Sequence, residues 1–251
     1  MAFERHTKEE GRRHIIELCE MFKRGIRHYK SEKYLEENVK KEFIDQFLLA
    51  LNWDVNNENG VSPKYKEVIF EARANERGVV KHPDYALCIG GNPVIYVEAK
   101  PPSVKLLNAD EYALQLRKYA HSMKKPISIL TDFEELAVYD ARKNPSDTDQ
   151  ADTSRIKYIT FDHYVDEFDY LWDTFSYDSV IRGSIDTYFD RSDGNYSQND
   201  INEEMLDAID EWRRMFILAI RNGTDLTEES INVAVQRLIN RIVYIWRNKG
   251  Y

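Results

Sequence analysis

The sequence predicts a mixed α/β domain followed by an all-helical segment. Three observations carry this: apolar residues at helical spacing over the first fifty positions, six short strand-like runs between residues 67 and 161 with one helix among them, and no strand-like run beyond about Asp162.

From residue 9 to 29, Ile15, Leu18, Cys19, Phe22 and Ile26 fall on one helical face. A second stripe, from about Tyr34 to Asn52, sets Leu35, Val39, Phe43, Phe47 and Leu51 four apart. Both predict amphipathic helices that need a surface to pack on. The run NNENG then reads as a loop. Strands are predicted at EVIFEA (67–72), DYALCI (84–89) and PVIYVEA (93–99). Pro101 and Pro102 end the third, since proline has no N–H to donate to a ladder. A helix from about Ala109 to Met123 follows, then PISILT and ELAVYD around the turn DFEE. The polar loop ARKNPSDTDQADTS leads to a last strand, IKYITF. Helices are predicted at 163–174, 177–189, 200–221 and 226–248. The last carries Ile231, Val235, Leu238, Ile239, Ile242 and Ile245 on one stripe and runs on without a closing feature, as expected of a piece of a longer chain. The change from mixed to all-α places a boundary near residue 175, giving segments 1–175 and 176–251.

With 42% hydrophobic and 31% charged residues the composition is that of an ordinary globular protein. No apolar run approaches the roughly 18 residues of a membrane helix. The first twenty residues lack the apolar core and cleavage site of a signal peptide. Cys19 and Cys88, far apart and without metal-ligand spacing, fit two buried thiols in a reducing cytoplasm. The net charge of −9 argues against a nucleic-acid partner, but its distribution does not. Residues 132–210 hold 6 basic and 21 acidic side chains; the remainder holds 29 and 23, a balance of +6. A phosphate backbone could approach that remainder.

The chemistry concentrates in KHPDYALCIGGNPVIYVEAK, residues 81–100. If this is a hairpin centred on Gly91, paired residues have numbers summing to 182, so Asp84 lies opposite Glu98 and His82 opposite Lys100. Alternation then puts Asp84, Glu98 and Lys100 on one face. Two opposed carboxylates repel and something must offset them. One answer is a divalent cation such as Mg²⁺, which takes one or two carboxylates and keeps positions for water or phosphate, with Lys100 beside it. That set suits phosphodiester hydrolysis. The other answer is a structural pair, Lys100 neutralising Glu98. On the second helix Glu36 shares a face with Val39 and Phe43, which aims a third acid at the sheet, whereas Glu37 aligns with Lys40 and Lys41 as a solvated charge. His82 reads as incidental; Arg73, Arg77 and Lys81 read as phosphate contacts or a solvated loop.

Pro83-Asp84 followed by Glu98-Ala99-Lys100 resembles the signature of the PD-(D/E)XK nucleases. EENVKKEFIDQFLLALNWDV is similar to the opening helix of the nuclease domain in Type IIG restriction enzymes and Type I restriction subunits, although Gln46 stands where proline is usual and Asn52 where glycine is. QLRKYAHSMKKPISILTDFEELAVYD resembles the Q-x-x-x-Y helix and following strand, giving Gln115 and Tyr119. WDTFSYDSVIRGSIDTYF and INVAVQRLINRIVYIWRNKGY resemble the helical connector that leads into a Type IIG methyltransferase. The resemblance implies a restriction-endonuclease-like mixed sheet flanked by helices, then an all-α connector. It implies that Asp84, Glu98 and the Ala99 carbonyl bind Mg²⁺, with Mn²⁺ able to substitute. Lys100 would position or activate the attacking water, Glu36 would be a supporting acid where a second metal could sit, and Gln115 and Tyr119 would face the site and orient the backbone or Lys100. The expected substrate is double-stranded DNA, with methyltransferase and target-recognition domains elsewhere in the full-length chain. A Type I motor subunit and a non-catalytic nuclease-like module are the alternatives.

Overall fold

Helix α1 (Lys8–Tyr29) opens with a capping box: Thr7 Oγ1 accepts from the Glu10 N–H and the Glu10 carboxylate accepts from the Thr7 N–H. Its predicted stripe is buried at Ile15, Leu18, Cys19 and Phe22. In the computed structural model, residues 3–70 and 82–192 are described, with isolated positions between 216 and 242.

The second helix was expected to run unbroken. It forms instead as α2 (Glu36–Val39), a π-helical turn over Lys40–Ile44, and α3 (Asp45–Ala50). The Asp45 N–H reaches back five residues to the Lys40 carbonyl, so one turn holds an extra residue. Both Phe43 with Ile44 and Phe47 with Leu48 are thereby buried. Asn52, which closes this segment, has φ +67, a conformation glycine favours and asparagine tolerates. Its side chain accepts from the His6 N–H and donates to the His6 carbonyl, fixing the approach to α1.

All six expected strands form one sheet: β1 (Val68–Phe70), β2 (Tyr85–Ile89), β3 (Asn92–Ala99), β4 (Ile127–Thr131), β5 (Glu135–Asp140) and β6 (Arg155–Thr160), in sequential order. Neighbours are antiparallel except β3 and β4, which are parallel, with helix α4 (Asp110–Ser122) between them in the chain. The β2–β3 pairs Tyr85–Val97, Ala86–Tyr96 and Leu87–Ile95 keep the sum of 182. A bulge between Leu87 and Cys88 then shifts the register, so Ile89 pairs with Asn92. The turn is Gly90–Gly91, both at positive φ (+59 and +82), as two-residue hairpin turns require.

Each face of the sheet is covered. Tyr85, Leu87, Ile95, Val97, Ile129 and Val138 share a core with α1 and α3, and with α5 (Phe168–Phe175), α6 (Tyr177–Ile181) and α7 (Ser184–Ser192). Ala86, Cys88, Tyr96, Leu130 and Tyr139 share a second core with Ala113, Leu116, Tyr119 and Ala120 of α4. Burial on both sides is why YALCI reads as a continuous apolar run. Trp53 ties the late helices to this body: its Nε1–H donates to the Phe175 carbonyl at 2.8 Å and its ring meets Tyr177 edge-on.

The helix expected over 177–189 is broken at Gly183, φ +97, which separates α6 from α7. The one expected over 163–174 starts as a 3₁₀ turn at Phe161–His163 and becomes α-helical at Phe168. The helices expected at 200–221 and 226–248 lie outside the described residues apart from isolated helical positions, where Ile231, Val235 and Ile239 are buried together and Leu238 is exposed. Among the described residues no helix is long and apolar enough to cross a membrane.

Candidate active site

The site forms where β3 ends. Beyond the Tyr85–Val97 pair the ladder gives way, and the Asp84 side chain takes the next position: its Oδ2 accepts from the Ala99 N–H at 2.7 Å. This hydrogen bond clamps the start of β2 to the end of β3 and brings Asp84 beside Glu98. Alternation along β3 puts Glu98 on the same face as Tyr96, as the hairpin register requires. Both acids and Lys100 are largely withdrawn from water, with side chains 14%, 11% and 8% exposed.

Two ammonium groups offset the acids. Lys100 Nζ lies 2.6 Å from Glu98 Oε1, 2.5 Å from the Ala99 carbonyl oxygen and 3.4 Å from Glu36 Oε2. Lys40 Nζ lies 2.5 Å from Asp84 Oδ1, 2.9 Å from Glu36 Oε1 and 3.2 Å from Glu37 Oε1. Glu36 thus joins the site from the helical layer with one oxygen toward each lysine, as its helical position predicts. Glu37 is exposed, as expected. Lys40, expected to be a solvated partner of Glu37, is instead drawn inward by Asp84, with only 17% of its side chain exposed.

These contacts set the proton affinities. Burial pushes the Glu98 carboxyl above the usual range, and the Asp84 charge adds to it, while the Lys100 hydrogen bond and charge pull the other way. For Lys100 burial acts to lower the pKa, but Glu98, Glu36 and Asp84 outweigh it and the net direction is up. Lys40 is likewise raised, by hydrogen bonds to Asp84 and Glu36 that overcome its burial. Both lysines are therefore held as ammonium ions.

On α4, Tyr119 is buried, edge-on to Tyr96 at 4.9 Å, with His82 at 6.4 Å. Tyr112 of the same helix lies with its ring 5.1 Å from Lys100 Nζ. Gln115, half-buried, stands between them at spacings of three and four, on the stripe that runs from Lys100 toward His82. Behind the site the Tyr85 hydroxyl donates to Asp45 Oδ1, pinning α3 over the start of β2. Arg73, Arg77 and Lys81 lie outside the described residues.

Sequence reasoning missed Lys40 and Tyr112. Lys40 was findable, because it follows Glu36 by four and must share its face. Tyr112 precedes Gln115 and Tyr119 by three and seven, the same argument from the other helix.

Among the described residues no three His, Cys, Asp or Glu side chains are gathered as a ready-made metal cage. The lysines explain this, since each ammonium stands against oxygens that a cation would otherwise draw together. The donors themselves, Asp84, Glu98 and the Ala99 carbonyl with Glu36 nearby, are all hard oxygens of the kind Mg²⁺ takes. The donor chemistry fits the metal.

Residues 67–147 match the family model described as the Type I restriction enzyme R protein N terminus. That span includes Asp84, Glu98, Ala99, Lys100, Gln115 and Tyr119 but not Glu36. The Type II restriction enzyme and methyltransferase RM.Eco57I of Escherichia coli is 34% identical over 235 residues, which is 91% of this chain and 23% of that protein. The chain therefore spans less than a quarter of the length of the curated relative it matches. No solved structure matches. The resemblance to restriction-enzyme nucleases drawn from the motifs is borne out on both counts.

Proposed function

We propose that this chain carries the DNA-cleaving part of a restriction enzyme of the Type IIG kind and hydrolyses phosphodiester bonds with Mg²⁺. The observation that carries the proposal is the convergence of Asp84, Glu98, Lys100 and Glu36 from two layers of the fold onto the end of β3. Kinship with a restriction enzyme and methyltransferase supports the same reading.

In this reading Asp84, Glu98 and the Ala99 carbonyl hold the metal, with Glu36 in support. A bound divalent cation supplies Lewis acidity toward a phosphoryl oxygen and a more acidic water. Lys100, a fully protonated ammonium in a nearly dry setting, stabilises negative charge developing beside Glu98. The ring of Tyr112 and the Tyr96–Tyr119 pair close the α4 side and limit the positions open to Lys100. Gln115, between them, orients the substrate backbone in this reading. Double-stranded DNA is the substrate. Residues 1–175 act as the nuclease unit, and 176–251 as a helical connector whose first helices, α6 and α7, rest on the nuclease core. Methyltransferase and target-recognition parts lie in the same full-length chain, which works in the cytoplasm.

A structural reading, in which Lys100 and Lys40 simply neutralise the acids, has the 2.6 Å and 2.5 Å pairs in its favour. It gives no reason for three carboxylates from two layers, Asp84, Glu98 and Glu36, to be gathered around two ammonium groups at one strand end. The test is nicking of supercoiled plasmid by the 251-residue chain with Mg²⁺, Mn²⁺ or EDTA, beside Glu98→Gln. Metal-dependent nicking that disappears in a folded Glu98→Gln protein supports the nuclease; nicking that persists in it removes Glu98 from the chemistry.

A further inference from the structure

Among the described residues, Lys40 is the cation of the site that the proposed chemistry leaves without a task. Asp84 has two carboxylate oxygens: Oδ2 is committed to the Ala99 N–H, and Oδ1 lies 2.5 Å from Lys40 Nζ. The oxygen that Asp84 has left to offer is therefore held by a charge the protein carries itself. An ordinary surface lysine gives up little of its hydration for an ion pair. This one meets three carboxylates from two layers and is mostly shielded from water.

The same contacts provide an exit. Glu37, 81% exposed, lies 3.2 Å from Lys40 Nζ on the solvent side. The four-carbon stem lets the ammonium leave Asp84 for Glu37 without any movement of the helix. Among the described residues Lys100 has no matching exit, since its partners Glu98, Glu36, the Ala99 carbonyl and the Tyr112 ring all line the site. The two lysines are thus not equivalent: one is built in, the other is hinged at the rim.

We propose that Lys40 is a tethered counter-cation that occupies Asp84 Oδ1 in the metal-free protein and competes with a divalent ion for it. Lys40 is a positioning residue in this account. It keeps the acids together before the metal arrives and sets how tightly the metal is held, so that binding requires its ammonium to move toward Glu37. The inference rests on the metal-dependent reading of the site given above.

The test is Mn²⁺ binding to the 251-residue chain without DNA, by calorimetry or by the electron paramagnetic resonance of free Mn²⁺. It compares wild type with Lys40→Met, Lys40→Gln, Lys40→Arg and Asp84→Asn. Removing a competing unit charge within contact distance is expected to tighten Mn²⁺ binding at least about tenfold in Lys40→Met and Lys40→Gln. Lys40→Arg should stay close to wild type. Thermal unfolding gives a second readout: Lys40→Met should melt lower in EDTA and regain the difference in saturating Mn²⁺. Equal or weaker Mn²⁺ binding in whichever of Lys40→Met and Lys40→Gln folds overturns the proposal. If Asp84→Asn weakens Mn²⁺ binding and the Lys40 variants do not tighten it, only the role of Lys40 falls. If Asp84→Asn changes nothing, the metal site itself falls, and this inference with it.

Discussion

Replacing Lys100 by methionine keeps the stem and deletes the ammonium. Glu98, 2.6 Å away and 11% exposed, is then left facing Asp84 and Glu36 without its partner. Breaking a buried ion pair from one side costs about 3–5 kcal/mol. Glu36 is about a third exposed and lets water reach the rim, so the lower end, about 3 kcal/mol, is expected near pH 8. The cost must also depend on pH. The Glu98 carboxyl is already raised by burial first and by Asp84 second, and Lys100 is what restrains it. Deleting Lys100 lets it rise further. A carboxyl whose pKa is higher folded than unfolded binds its proton more tightly in the folded state. Its contribution is therefore fully favourable below the ordinary glutamate range and is lost as pH rises through the folded value. The Lys100→Met penalty, measured against wild type at each pH, should be small near pH 4.5 and full near pH 8. Adding Glu98→Gln should restore most of the loss, since replacing both partners is far cheaper than orphaning one. Urea unfolding in EDTA, followed by tryptophan fluorescence at several pH values, measures all of this. A penalty below about 1 kcal/mol near pH 8, or one that is flat with pH, would refute the claim that Glu98 and Lys100 are a desolvated pair.

Two further outcomes follow from the packing. A Cβ at Gly91 would sit 2.0 Å from the Lys64 carbonyl oxygen at φ +82, while one at Gly90, φ +59, would meet nothing within 4 Å. Thermal unfolding should show Gly91→Ala costing more than about 2 kcal/mol and Gly90→Ala about 1, and equal costs would mean that the turn is not packed on residues 63–65. Burial pushes the thiols of Cys19 and Cys88 up to about 12, so neither should react with an aromatic disulfide near pH 8 until the chain is unfolded, when two thiols should be counted. A thiol that reacts in the native protein would contradict the buried placement of that cysteine.

What could be read from the sequence was whatever depends on local period. Alternation and glycine placement located the six strands, and the β2–β3 register held as far as Leu87. The bulge beyond it was not legible, since nothing in the local alternation marks a shift between Leu87 and Cys88. Asp84, Glu98, Lys100 and Glu36 were findable because strand and helix periods fix their faces. The face of Lys40 was readable in the same way, four residues after Glu36, but its partner Asp84, 44 positions away in sequence, was not. The break at Gly183 rests on one glycine inside an otherwise helical pattern, which is a weak signal alone. The π-helical turn had no local signature; the residue that follows it, Asp45, has its partner Tyr85 far away in sequence.

That turn makes chain length, and not side-chain identity, a control on the site. If the same residues closed this turn as regular α-helix, everything before it would rotate by about 100° around the helix axis and shift by about 1.5 Å. Glu36 and Lys40 would swing away together, while Phe47 and Leu48 kept their seats in the core. Because one turn holds an extra residue, a single residue deleted between positions 41 and 44 would instead let a regular α-helix close with Glu36 and Lys40 still in phase with Phe47. A codon gained in this helix without a second such turn to absorb it would leave a folded domain whose helix and sheet no longer share their acids.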